Sequence, residues 1–142
     1  MVEAWPIMLY RVAEFEKTPN GQKFKRFKYC GYKLLCSGQL YKGSAKANTT
    51  DKRKSNYCEL NLGVGRPDVN GVNIYEKDLV YNKREKLTGV IRYDPKKGAF
   101  IMYVKNGIVT IPYSFLDCYD VSLEVLGNEY EHEAKNKLFK RY

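Results

Sequence analysis

A chain of 142 residues, 44% hydrophobic and 29% charged, is long enough to bury a core and too apolar for wholesale disorder. No apolar run approaches the roughly 20 residues that span a bilayer, and Glu3, Arg11, Glu14 and Glu16 break up any leader-like core at the start. Collagen, coiled coil and membrane protein are excluded, leaving a basic, tyrosine-rich domain with 13 Tyr and a net charge of +9, expected in the cytoplasm.

Residues 7–16 are apolar-rich with β-branched and aromatic members, and Thr18-Pro19-Asn20-Gly21 is a strong turn signal. With residues 22–29 beyond it, the pattern predicts a β-hairpin. Tyr32 to Cys36 and Gln39 to Tyr41 read as a third, irregular strand. Residues 42–56 hold no large apolar side chain and predict a mobile loop. From Tyr57 to Leu62 the side chains alternate, with Cys58, Leu60 and Leu62 on one face, which predicts a half-buried strand. The stretch 63–71, with three Gly, a Pro and Asp68, reads as the boundary between subdomains 1–66 and 67–142.

Beyond it, strands are expected over 74–81, 89–93, 99–104, 108–111 and 121–126, with Asp94 to Gly98 and Asn106-Gly107 as turns. Pro112 cannot donate a ladder hydrogen bond, so its strand ends there or lies at an edge. Five short strands with tight turns suggest a small β-barrel or a strongly curled sheet. Asn128, with Glu131 three residues on, marks a helix start. Glu129, Glu131 and Glu133 then suit the positive end, and Lys135, Lys137, Lys140 and Arg141 the negative end. Tyr130, Ala134 and Leu138 form its apolar stripe. The fold class is mainly β, with a β-rich N-terminal subdomain, a small barrel and a C-terminal helix.

Catalytic signals are sparse. Cys30, Cys36, Cys58 and Cys118 include no C-x-x-C pair, so they read as core fillers rather than a metal set. The only histidine, His132, sits between Glu131 and Glu133 on the predicted helix and reads as solvated. Asp117 and Asp120 suit a loop as well as a carboxylate pair. Gly63-Val64-Gly65 opens like a dinucleotide fingerprint, but Pro67 interrupts it. No enzyme, metal or cofactor is expected.

The charge is uneven: residues 1–66 carry 13 Lys and Arg against 5 Asp and Glu, and residues 67–142 carry 12 against 11. That field favours polyanionic partners. Its densest part is Lys23-Phe24-Lys25-Arg26-Phe27-Lys28-Tyr29, where cations suit phosphates and rings suit bases. The candidate nucleic-acid-binding residues are Lys23, Lys25, Arg26, Lys28, Tyr29, Lys52, Arg53, Lys54, Lys83, Arg84, Lys96 and Lys97. The blander reading makes the Phe and Tyr rings core and the cations a wet outer face.

The block Asp68-Val69-Asn70-Gly71-Val72-Asn73-Ile74-Tyr75-Glu76-Lys77-Asp78-Leu79-Val80 resembles the YopX family of phage and prophage proteins. Further blocks lie at Gly89 to Tyr93, Gly98 to Phe100, and Leu123 to Glu131. The resemblance implies a phage or prophage origin and a two-part β-rich fold with an SH3-like C-terminal barrel; it implies no activity. Lys77 replaces the family's turn glycine, so a positive φ there means a strained or reshaped turn. Asp68, Gly71, Glu76 and Asp78 read as structural before they read as ligand contacts. The functional expectation is a non-enzymatic accessory protein that contacts nucleic acid through its basic first half. The alternative is a host or phage protein as partner, or a homo-oligomer.

Overall fold

The structure, a computed structural model, describes residues 9–106, 109–114 and 123–131. Thr18 closes the first turn as a hydroxyl residue there should: its Oγ1 accepts from the Asn20 N–H at 3.2 Å and donates to the Gly21 carbonyl at 2.7 Å. Gly21, at a φ of 111°, completes the reversal at little steric cost. The result is the hairpin of β1 (Tyr10–Thr18) and β2 (Gly21–Lys28).

Its register shifts once. Arg26 lies opposite Glu14 and Phe24 opposite Phe15, leaving Lys25 without a partner as a bulge. The bulge returns Phe24 and Phe27, three residues apart, to one face, with ring centroids 4.8 Å apart. On the other side of β1 runs β6 (Cys58–Pro67), pairing Tyr10 with Leu62 through Glu14 with Cys58.

The region between these strands departs from the sequence reading. Instead of one irregular strand, Gly38 at a φ of 91° separates β3 (Tyr32–Leu34) from β4 (Leu40–Lys42). With β5 (Ala45–Lys46) they make a three-stranded sheet. The segment expected as a loop unable to pack thus carries β5, and Ala47 lies against the core. Asn48 organises the turn after β5. Its Oδ1 accepts from the Thr50 and Asp51 N–H groups at 3.3 and 2.9 Å, and its Nδ2 donates to the Asp51 carbonyl at 2.9 Å and Asn56 Oδ1 at 3.0 Å. Short polar side chains supply there the bonds that a ladder supplies elsewhere.

Contacts divide the chain into Met1–Leu62 and Gly63–Tyr142. The first unit is built on Val12, Leu40 and Cys58, with Tyr10, Tyr32, Leu34, Ala47 and Leu60 against them. Cys58 is a core filler, as expected; Cys30 and Cys36 are not, because the bends after β2 and β3 leave both exposed. Asn61, which alternation puts on the face opposite Cys58, Leu60 and Leu62, is buried, its Oδ1 accepting from Arg11 Nε at 3.1 Å.

In the second unit the expected linker is largely strand, since β6 continues to Pro67 and pairs with β7 (Asn73–Tyr75). This also removes the dinucleotide reading: Gly63 to Gly65 lie in a strand, not in a turn opening a helix. The expected strand over 74–81 breaks at Glu76 and Lys77 into β7 and β8 (Asp78–Asn82). Then come β9 (Leu87–Asp94), β10 (Ala99–Asn106), β11 (Val109–Ser114) and β12 (Leu123–Asn128). Their order is β11-β10-β9-β8-β12, a five-stranded sheet curled into a half-barrel. Ile74, Val80, Ile91, Met102, Val104 and Leu123 fill it. Pro112 lies within β11, which stands at one end of the strand order, the edge position that the sequence allowed.

A helix begins at 129–131 and Asn128 caps it: Oδ1 accepts from the Glu131 N–H at 3.0 Å while Nδ2 donates to Glu131 Oε1 at 2.7 Å. Ala134, Leu138 and the basic end of the expected helix lie outside the described residues, as do His132, Asp117, Asp120 and Cys118.

Candidate nucleic-acid interface

The basic-aromatic stretch becomes the edge strand of the first unit's sheet, and strand alternation sorts it. Lys28, Arg26 and Lys23 stand opposite Val12, Glu14 and Glu16; Phe27 and Phe24 stand opposite Ala13 and Phe15. Cations and rings therefore take opposite faces, with Lys25 at the bulge between them. On the ring side, Phe15 lies 5.4 Å from Tyr57 and 6.1 Å from Phe24, and Phe27 lies 6.3 Å from Tyr29. The Arg11 guanidinium sits 3.6 Å from the centre of the Phe27 ring. Phe24 and Phe27 are half-buried, whereas Tyr29 is 60% exposed.

Gln22 then does something no local pattern announces. Its Nε2 donates to the Lys52 carbonyl at 2.6 Å and to the Lys54 carbonyl at 2.8 Å. This pins the turn carrying Lys52, Arg53 and Lys54 to the start of β2, next to Lys23. Lys52 Nζ also lies 6.0 Å from the Tyr57 ring. Two basic segments about 30 residues apart are thus joined through their backbone at Gln22.

Not every cation contributes equally. Arg53 is held by Asp51 through bonds of 3.0 and 3.2 Å, and Arg26 by Glu14 at 2.9 Å. Glu14 also accepts from the Tyr32 hydroxyl at 2.5 Å and faces Lys42 Nζ at 3.5 Å. Burial opposes its ionisation, but the bonds from Tyr32 and Arg26 and the charge of Lys42 outweigh it, holding the carboxyl below its usual range. Burial, together with Glu14, pushes the Tyr32 phenol up. Tyr32, Lys42 and Gln22 are contributors that sequence reasoning missed from the site; the first two reach it only through the β3–β4–β5 sheet.

The remaining four candidates belong to the second unit and do not form one group. Lys83 and Arg84 occupy the β8–β9 turn, with Lys83 3.8 Å from Glu124 and Arg84 4.0 Å from Glu85. Lys96 and Lys97 occupy the β9–β10 turn, at the other end of eight-residue β9. At about 3.3 Å per residue that separation is roughly 23 Å. Antiparallel connectivity itself puts successive turns at opposite ends of a sheet.

A family model described as YopX protein matches residues 23–134. The chain belongs to the YopX family. No curated protein matches it. The YopX match reaches back from the motif blocks at 68–131 to Lys23 in β2, and so takes in most of the first unit. Within the YopX blocks the polar residues act structurally. Asp68 Oδ1 accepts from the Asn70 and Val72 N–H groups, each at 2.8 Å, and Oδ2 accepts from Val125 at 2.9 Å. Burial opposes its ionisation, and these bonds outweigh it, so its pKa is lowered. Asp78 Oδ2 accepts from the Tyr75 N–H at 2.8 Å. Lys77, at the YopX glycine position, has a φ of 73°, the strained turn that the substitution implied. Among the described residues no three His, Cys, Asp or Glu side chains gather as a metal set, and no helix there is long and apolar enough to cross a membrane.

Proposed function

We propose that this chain is a non-enzymatic YopX-family accessory protein of phage or prophage origin that binds nucleic acid in the cytoplasm through its N-terminal unit. The observation that carries this reading is the Gln22 tether, which holds the backbone of the Lys52–Lys54 turn against the start of β2, beside Lys23 in the chain. Lysines held close together raise the local potential above what the same charges give when dispersed. Lys28 ends β2 and the exposed Tyr29 ring follows it, which supports phosphate neutralisation and base stacking at that end of the strand.

The alternative, a protein partner or self-assembly through a sheet edge, has less support at β2. Its lysines and its bulge are devices that discourage strand addition.

A salt titration of binding to fluorescent oligonucleotides tests the proposal. Contact of five lysines (Lys23, Lys25, Lys28, Lys52 and Lys54) with phosphates gives a log–log slope of roughly −3.5 on single strands and −4.5 on duplex. Lys25→Gln and Lys54→Gln each reduce the single-strand slope by about 0.7. A flat response, or no binding to DNA or RNA at low salt, refutes it.

A further inference from the structure

Between β1 and the β3–β4–β5 sheet the first unit holds a cleft of about 300 Å³, floored by Glu14 and walled by Lys25, Arg26, Lys42, Lys46 and Tyr57. We infer that this cleft is a binding site for a single nucleotide unit, its phosphate monoester held by the cationic wall; the inference rests on the nucleic-acid reading above and specifies one subsite within it.

Four cations against one carboxylate leave the cleft strongly positive before any ligand enters. Glu14 does not repel an anion as a bare acid would. Both its oxygens are engaged, by Arg26 Nε at 2.9 Å and by the Tyr32 hydroxyl at 2.5 Å, with Lys42 Nζ at 3.5 Å. It acts as a fixed counter-charge that holds Arg26 and Lys42 in place. Because Arg26 uses Nε on Glu14, its terminal nitrogens keep the fork geometry that suits phosphate oxygens.

Lys25 and Lys46 have no ion-pair partner among the described residues, and they approach from β2 and β5 respectively. Asn56 uses its Oδ1 on Asn48, which keeps its amide N–H groups as donors at the rim. The Phe15 and Tyr57 rings, 5.4 Å apart, provide an apolar wall of the kind a base or sugar needs. The volume stands at the small end of the roughly 300–1,000 Å³ range of ligand sites, which fits one nucleotide rather than a run of several.

The same chemistry is presented by a free mononucleotide and by the phosphorylated end of a strand. Calorimetric titration of the full chain with adenosine 5′-monophosphate and with adenosine, alongside 5′-phosphorylated and 5′-hydroxyl oligonucleotides of one sequence, separates these. The monophosphate is expected to bind at least tenfold more tightly than the nucleoside. Lys46→Gln, a change at an exposed strand position, is expected to lower monophosphate affinity about tenfold and to leave the 5′-hydroxyl oligonucleotide within about twofold, since Lys46, on β5, is not among the five lysines counted in the salt slope. Its fold is checked by circular dichroism. Preference for the 5′-phosphorylated strand over its 5′-hydroxyl twin assigns the cleft to strand ends; equal binding of the two, with monophosphate still bound, assigns it to free nucleotide. Equal affinity for monophosphate and nucleoside, or no binding of either, overturns the inference. If the oligonucleotides nevertheless bind with the expected salt slope, the interface reading stands without it.

Discussion

Lys77 offers the sharpest test of how this fold is held. Its φ of 73° is one an L-residue adopts at a cost of about 1–2 kcal/mol. The conformation has no room to relax, because the Lys77 N–H donates to the Ile91 carbonyl at 2.7 Å and its carbonyl accepts from the Glu129 N–H at 2.7 Å. Leaving the left-handed region sacrifices two bonds worth about 1 kcal/mol each. Lys77→Gly removes the steric penalty but adds roughly 0.4–1 kcal/mol of unfolded-chain entropy. The side chain itself contributes little, its Nζ lying 5.8 Å from the Tyr130 ring, about 0.5 kcal/mol for an exposed pair. Lys77→Ala loses that contact and keeps the strain, so it isolates the backbone effect. Glycine should therefore be about 1 kcal/mol more stable than alanine here, with the lysine between them. Urea unfolding followed by circular dichroism reads this as a midpoint difference of roughly 0.5 M at unchanged slope. Slower amide exchange at Lys77 and Glu129 in the glycine variant places the gain at this turn. Alanine as stable as glycine would refute the argument that φ, rather than the side chain, sets the cost.

Gly89→Ala should destabilise the half-barrel by about 1–3 kcal/mol, because an added Cβ meets the Tyr103 carbonyl oxygen at 2.7 Å and Met102 Cγ at 2.9 Å. Thermal unfolding checks it, and an unchanged midpoint means the strands separate more easily than the sheet geometry implies. Asp68→Asn replaces one acceptor oxygen with a donor and loses a bond such as that from Val125, at a cost of about 1–3 kcal/mol near neutral pH by denaturant titration. Asp68 and Glu14 both have lowered folded pKa values, so their contribution is complete above the unfolded values of about 4 and is lost as pH falls through the lower folded ones. Asp68→Asn should accordingly flatten the acid limb of the stability profile; a limb of unchanged steepness contradicts the assignment. Gln22→Ala removes no charge yet frees the Lys52–Lys54 turn, so oligonucleotide affinity should fall about fivefold at constant salt slope. No change in affinity there shows that the tether is irrelevant to binding.

Local chemistry alone determined a good deal of this protein. Thr18 to Gly21 had to turn, Asn128 with Glu131 had to cap a helix, and the alternation from Cys58 had to pair as a strand, since each depends on residues a few positions apart. The family blocks are legible for the same reason: Asp68 Oδ1 and Asp78 Oδ2 bond to backbone within a few residues of themselves, and that leaves a readable spacing. What only the tertiary structure decided depends on partners far along the chain. A register shift at Lys25 put Phe24 and Phe27 on one face, when alternation alone would have split them. Gln22 met Lys52 and Lys54 across about 30 residues, and Glu14 met Tyr32 and Lys42 through a small sheet that read as one irregular strand and a loop. Composition announced a surplus of cations in the first half, but charge is long-ranged and carries no address. Strand pairing and one side-chain tether supplied that address, the Gln22 bonds holding the backbone of the Lys52–Lys54 turn to β2 while the β9 ladder sends Lys83 and Lys96 to its opposite ends.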